Sequence, residues 1–201
     1  VEKRADFAVE AKEILENVKT QLKMDVENIR VVNRYDVQGV SLEVLEEGIP
    51  TILSEPMVDE VYREDYPLNL RSQAFAVEYL PGQYDQRADA CEQCFQLLTG
   101  EKNVKVRCAK LIVVTGEITN EQFERIQSYM INPVDQRVAA LEKPEDLDEP
   151  AVQIDPVPVM EGFIHYSEEQ LRAFLKENGM AMNYDDLKVT QDYFRDEEHR
   201  D

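Results

Sequence analysis

The spacing of apolar residues changes period several times along the first two thirds of the chain, and each change marks an element. Phe7, Ala11, Ile14, Leu15, Val18 and Leu22 recur every three or four positions, the stripe of an amphipathic helix. Residues 28–35 (NIRVVNRY) read as a strand. Residues 41–47 form a short helix, with Ser41 as its N-cap and Gly48 as its stop. Residues 56–61 (PMVDEV) follow as an extended piece. The same order then returns. Residues 73–80 are rich in strand formers, and Pro81-Gly82 signals a turn. Ala88, Cys91, Phe95 and Leu98 predict a helix over 85–98, with Asp85 where a carboxylate favours the positive end of the helix. In a strand at 104–114, Val104, Val106 and Cys108 alternate with Lys105 and Arg107. Thr119-Asn120-Glu121-Gln122 is a capping box, and Phe123, Ile126 and Met130 share one face of the helix it opens. Residues 133–138 (PVDQRV) close the series.

The two proline-led pieces, 56–61 and 133–138, each follow a strand and a short helix, which suggests an internal duplication of a β-α-β-α-β unit. The halves span about residues 1–66 and 72–141 of one domain, residues 1–141. The second half opens on a strand, so the first needs one within Val1 to Arg4, and the chain is expected to begin inside that strand. Residues 142–159 hold prolines 144, 150, 156 and 158 among carboxylates and read as an acidic linker. Residues 160–201 form a helical region. Ser167-Glu168-Glu169-Gln170 is a second capping box, with Leu171, Phe174 and Leu175 on one face and Gly179 ending the helix. Asn183 caps a last helix that turns Leu187, Thr190, Tyr193 and Phe194 inward. Two helices are too few to bury their own apolar faces, so a partner surface is expected. The fold class is α+β, with antiparallel or mixed sheets covered by helices on one side.

Composition narrows the function. At 201 residues with 43% hydrophobic content, the chain has enough apolar material for a real core. Its formal charge of −20 argues against nucleic acid and acidic membrane surfaces as partners. No apolar run approaches the ~20 residues of a membrane span, and no apolar h-region follows Val1-Glu2-Lys3-Arg4, so neither a span nor a signal peptide is expected. Three cysteines make no disulfide framework, which points to a reducing, cytoplasmic setting.

Few residues carry candidate chemistry. Cys91-Glu92-Gln93-Cys94 is a CxxC, but it lies in mid-helix on the apolar side, whereas a redox pair normally sits at a helix N-terminus. Cys108, His165 and His199 lack the spacing of zinc ligands. Residues 145–149 and 196–198 are acidic without the alternating oxygens and central glycine of a calcium loop. The 7 glycines are not clustered into a phosphate loop. No catalytic, cofactor-binding or metal-binding residue is therefore assigned.

One run is more particular than its neighbours: Glu78-Tyr79-Leu80-Pro81-Gly82-Gln83-Tyr84-Asp85-Gln86-Arg87-Ala88-Asp89. It resembles the N-terminal region of the long, single-chain phosphoribosylformylglycinamidine synthases of purine biosynthesis. Further similarity lies in residues 33–37 (NRYDV), 54–56 (SEP), 58–62 (VDEVY), the wider run 75–98, 131–134 (INPV), 141–145 (LEKPE) and the stretch from 185–188 (DDLK) through 196–198 (DEE). Cys91, His165 and His199 depart from the family's usual residues. The resemblance implies that residues 1–141 are a PurS-like domain, similar to two fused copies of a small subunit, and that residues 160–201 belong to a helical linker domain. It also implies an ATP-dependent ligation in the full-length enzyme. Glutamine is hydrolysed in a C-terminal glutaminase domain, and ammonia passes to a synthetase domain. There Mg-ATP activates the amide oxygen of formylglycinamide ribonucleotide, and ammonia displaces phosphate to give the amidine. ATP and Mg are thus expected in the full-length enzyme and no cofactor in this fragment, whose partners are the synthetase and glutaminase domains of the same polypeptide. Past Asp201, the resemblance places an aromatic-Ser-(Asp/Glu)-His-Cys segment within a few dozen residues.

In that setting the turn formed by Gln83, Tyr84, Asp85, Gln86 and Arg87 is the candidate contact surface with the catalytic domains. The other reading of the same residues is that Asp85 and Arg87 only cap and solvate their helix. Two further functions stay open: a regulatory module binding an amino acid or nucleotide at the seam between its repeats, and a free-standing acidic adaptor.

Overall fold

The computed structural model describes residues 1–148 and 156–201. The chain divides into two compact units, Val1–Glu149 and Pro150–Asp201. Residues 149–155, the middle of the expected linker, lie outside the described residues.

The first unit runs β1 (Glu2–Lys3), α1 (Val9–Thr20), β2 (Asn28–Gln38), α2 (Leu42–Gly48), β3 (Asp59–Glu60), β4 (Ser72–Tyr79), α3 (Gln86–Thr99), β5 (Lys105–Thr115), α4 (Asn120–Met130) and β6 (Gln136–Ala139). Capping starts the shorter helices where the sequence marks them. Ser41 Oγ accepts from the Val44 N–H, and Thr119 and Gln122 form a full capping box. One turn has no signal in the sequence: residues Ile49–Leu53 continue α2 as a π-helical turn, with Pro50 near its start, and bury Ile49 and Leu53.

All six strands join one antiparallel sheet in the order β3-β1-β2-β5-β4-β6. The order is palindromic about the β2–β5 pair. These strands are each 11 residues long, and their register runs from Asn28 opposite Thr115 to Gln38 opposite Lys105, centred on Asn33 and Lys110. Each half therefore lays its strands outward from the middle in the same sequence. The unit is α+β and its sheet is antiparallel throughout, which decides between the two arrangements expected.

Alternation along the strands sends Ile29 and Val31 of β2, Phe75 and Val77 of β4, and Ile112 and Val114 of β5 to one face, where the helices lie. Two cores form there, and both mix the halves. Ile14 and Val18 of α1 pack with Ile126 of α4 over that part of the sheet. Cys91 and Phe95 of α3 pack with Ile49 and Leu53 from the turn that extends α2. The long helix of one half thus shares a core with the short helix of the other, and neither half closes a core alone.

Among the described residues of the first unit no helix packs on the opposite face, yet its centre is buried: Val32, Ala76, Ala109, Val113 and Ala139 are all largely shielded. Two irregular segments cross it. The first, residues 61–71, is anchored by a cluster around Glu2. Arg30 grips Glu2 with two hydrogen bonds of 2.7 and 2.6 Å, the Tyr66 hydroxyl donates to Glu2 at 3.1 Å, and the Arg30 guanidinium stands 4.9 Å from the Tyr66 ring centroid. The second is residues 140–148. Arg34 donates to the carbonyls of Ala140 and Glu142, the Gln38 amide exchanges hydrogen bonds with Asp146 and the Leu147 N–H, and Lys105 pairs with Asp148. Lys143 and Glu64 link the two segments at 2.7 Å. Residues 142–148, expected as the start of a linker, therefore lie against the sheet and bury Leu147.

The second unit builds a small core of its own. The helices α5 (Glu168–Glu177) and α6 (Tyr184–Tyr193) are preceded by a 3₁₀ turn at Phe163–His165. That turn supplies Phe163, which is buried with Leu171 and Leu187. Buried Gln191 locks the turn to α6 by donating to the carbonyls of Phe163 and Tyr166, both at 2.9 Å. The Asp201 carboxylate accepts from the Gly162 and Ile164 N–H groups, and these bonds hold its pKa below the usual carboxylate range. Where the sequence suggests a partner surface for these two helices, either the first domain or a further one, the extra turn buries Leu171 and Leu187 against Phe163 within the unit itself.

Candidate functional site

The run at 78–89 folds into the turn that joins β4 to α3. Leu80-Pro81-Gly82-Gln83 makes a β-turn closed by the Gln83 N–H to the Leu80 carbonyl at 3.0 Å. Proline at its second position and φ of +84° at Gly82 define a type II turn, which needs glycine there. Asp85 is the N-cap of α3 rather than part of its first turn, and its Oδ1 accepts from the Arg87 and Ala88 N–H groups, both at 3.0 Å. Arg87 donates from Nη1 to the Tyr35 hydroxyl at 3.0 Å and so ties α3 to β2. Burial raises the Tyr35 hydroxyl pKa, and the Arg87 hydrogen bond opposes that shift. Tyr84, 69% exposed, donates to Asp89 at 2.8 Å. Gln83 and Gln86 are exposed. The two charged residues of the candidate surface thus have roles inside the fold, while Gln83, Tyr84 and Gln86 present their side chains outward.

Beside this turn lies a cleft of about 290 Å³. It exists because β4 leaves the ladder after Val77 pairs with Lys110 and swings towards β6, where Tyr79 pairs with Gln136. Among the described residues, 105–109 of β5 have no strand partner on that side, and Ala88 and Glu92 of α3 line the gap. Gln83 and Asp85 line it, together with Glu78, Arg137, Lys105, Arg107, Cys108, Glu92 and Leu147. Most of its charges are committed. Arg137 pairs with Glu78 at 2.7 Å, Lys105 with Asp148, and Asp85 with the start of α3. Tyr84, Gln86 and Arg87 do not line the cleft.

The cysteines of the CxxC point in different directions. Cys91 is buried in the α3 core and Cys94 is exposed, while Cys108 is buried in β5. Burial pushes the Cys91 and Cys108 thiols above their ordinary range, which disfavours the reactive thiolate. His165 and His199 are both exposed, and the His199 ring Nδ1 lies 3.0 Å from the Arg195 carbonyl. Among the described residues, no group of three or more His, Cys, Asp or Glu could hold a metal ion. Among the same residues, no helix is long and apolar enough to cross a membrane.

Local sequence pattern marks one wall of the cleft, at Gln83 and Asp85, and leaves the other unmarked. Arg107 and Lys105 read as the solvent-facing half of an alternating strand, and Arg137 as part of an extended piece. Only the register of β4, β5 and β6 brings them together, and no local pattern encodes it.

No family model and no curated protein matches the chain.

Proposed function

We propose that this chain is the non-catalytic N-terminal part of a phosphoribosylformylglycinamidine synthase, a cytoplasmic ATP- and glutamine-dependent ligase of purine biosynthesis. The observation that carries the reading is the palindromic sheet β3-β1-β2-β5-β4-β6, whose halves share one element order and complete each other's cores. That is the arrangement two fused copies of a small subunit produce when their middle strands pair. It supports the duplicated, PurS-like reading of residues 1–141, and the family is suggested by the run at 78–89.

In this reading the chain acts as a fitting. It holds the synthetase and glutaminase domains in register and helps close a water-poor path for ammonia. ATP and Mg belong to the synthetase domain. Gln83, Tyr84 and Gln86 offer the outward contact surface, and Asp85 and Arg87 fix the shape of the turn that presents it. The internal commitments of Glu78, Asp85, Lys105 and Arg137 favour a structural role, because a general acid or base must be available to exchange its proton.

The test is an assay of the purified 201-residue chain for glutamine hydrolysis and ATP hydrolysis. The expected result is no turnover of either above a buffer control. Turnover of either substrate that persists through further purification contradicts the proposal.

A further inference from the structure

Two opposite charges face the cleft without an ionic partner. Arg107 lies on the helix-free face of β5, and its cross-strand neighbour Asp36 is already gripped by Arg34 at 3.0 and 2.9 Å. Glu92 projects from α3 on the other side of the gap. It accepts only long hydrogen bonds, 3.4 Å from the Val106 N–H and 3.3 Å from the Gln96 amide. Both side chains are half-buried, and among the described residues neither forms a salt bridge. The chain holds 42 acidic residues against 22 basic ones, so carboxylates outnumber cationic side chains overall. An arginine without one stands here in a cleft that also holds a glutamate outside any salt bridge among the described residues, so each can take up an opposite charge.

We propose that the cleft binds a small zwitterion of the α-amino acid type, with its carboxylate on the Arg107 guanidinium and its ammonium on Glu92. Charge selects this class. A phosphate dianion on Arg107 would leave the Glu92 carboxylate facing it, and a simple cation on Glu92 would leave the Arg107 guanidinium facing it, both repelled at short range. A zwitterion satisfies both open charges at once. Arg107 presents a planar fork suited to a carboxylate, and the partnerless edge of β5 at residues 105–109 adds backbone groups beside it. The volume of about 290 Å³ lies at the lower end of small-ligand sites, a size suited to a single amino acid. The site lies at the edge of β5 that faces β4, opposite the edge that pairs with β2. It does not depend on the chain belonging to a larger ligase.

The experiment is a titration of the isotopically labelled 201-residue chain with pools of the standard L-amino acids at millimolar concentration, read by amide chemical shifts. Acetate and methylammonium serve as single-charge controls. The expected result is saturable shifts at residues 85–92 and 105–109 from at least one amino acid and none from either control. Arg107→Gln and Glu92→Gln should each weaken binding by about tenfold or more, with the rest of the spectrum unchanged. Three outcomes overturn the proposal: no saturable shift from any amino acid, an equal response to acetate alone, or affinity unaffected by both substitutions.

Discussion

Replacing Phe95 by alanine is expected to cost the first unit about 3–5 kcal/mol, the usual loss for a buried aromatic truncated in a core that cannot collapse. Phe95 is 0% exposed. It packs with Ile49, Leu53, Cys91 and Val104, side chains from both halves of the sheet. Removing the ring therefore empties the point where α3 meets the turn after α2. Total stabilities run to about 5–15 kcal/mol, so the variant sits near the threshold of folding. In urea the midpoint should fall sharply with little change in slope, and the thermal midpoint should drop by about 10 °C. Gly48 supplies a check on the geometry. A Cβ there would stand 2.3 Å from Cε1 of the Phe95 ring, so Gly48→Ala should be destabilising alone and nearly neutral beside Phe95→Ala. A loss below about 1 kcal/mol for Phe95→Ala would remove this ring from the centre of the second core.

Gly39→Ala is expected to cost about 3 kcal/mol for a different reason, one that acts through the backbone. Gly39 follows β2 with φ of +86°, a conformation that strains any residue with a Cβ. The added carbon would also lie 2.5 Å from the backbone oxygen of Asn103, just before β5. Neither strand end can retreat, because Gln38 and Lys105 form the last pair of the central ladder. Gly82→Ala isolates the first contribution. Its φ is +84°, but nothing lies within 4 Å of the new carbon, so only about 1 kcal/mol should be lost. Equal losses for the two variants, measured by chemical denaturation, would show that the approach to Asn103 carries no energy.

Local elements were legible in the sequence because local chemistry sets them. Ser41, Thr119, Ser167 and Asn183 each cap the helix whose start they mark, and of the stripe Ala88, Cys91, Phe95 and Leu98 the first three are buried while Leu98 is exposed. The repeated element order was legible as well. What joins the halves was not. The β2–β5 pairing is a choice of partner between two strands that both alternate, and the crossed cores follow from that choice. The segments over the helix-free face were equally hidden. Residues 140–148 read as polar and proline-bearing, yet they are held by Arg34, Gln38 and Lys105, whose alignment exists only once the register is set. Leu147 is apolar within an acidic run, and that was the one local hint that the run returns to the sheet. The candidate surface shows the same division. Asp85 was marked as a helix-end carboxylate by its position, but the cleft beside it depends on β4 parting from β5.

The reading of this chain as a doubled, helix-backed sheet serving a larger ligase is tested most directly by the coding sequence downstream of Asp201. The expected result is a reading frame that continues and encodes, within a few dozen residues, an aromatic-Ser-(Asp/Glu)-His-Cys segment, followed by synthetase and glutaminase domains. A stop codon directly after Asp201, or a continuation without that segment, would contradict it.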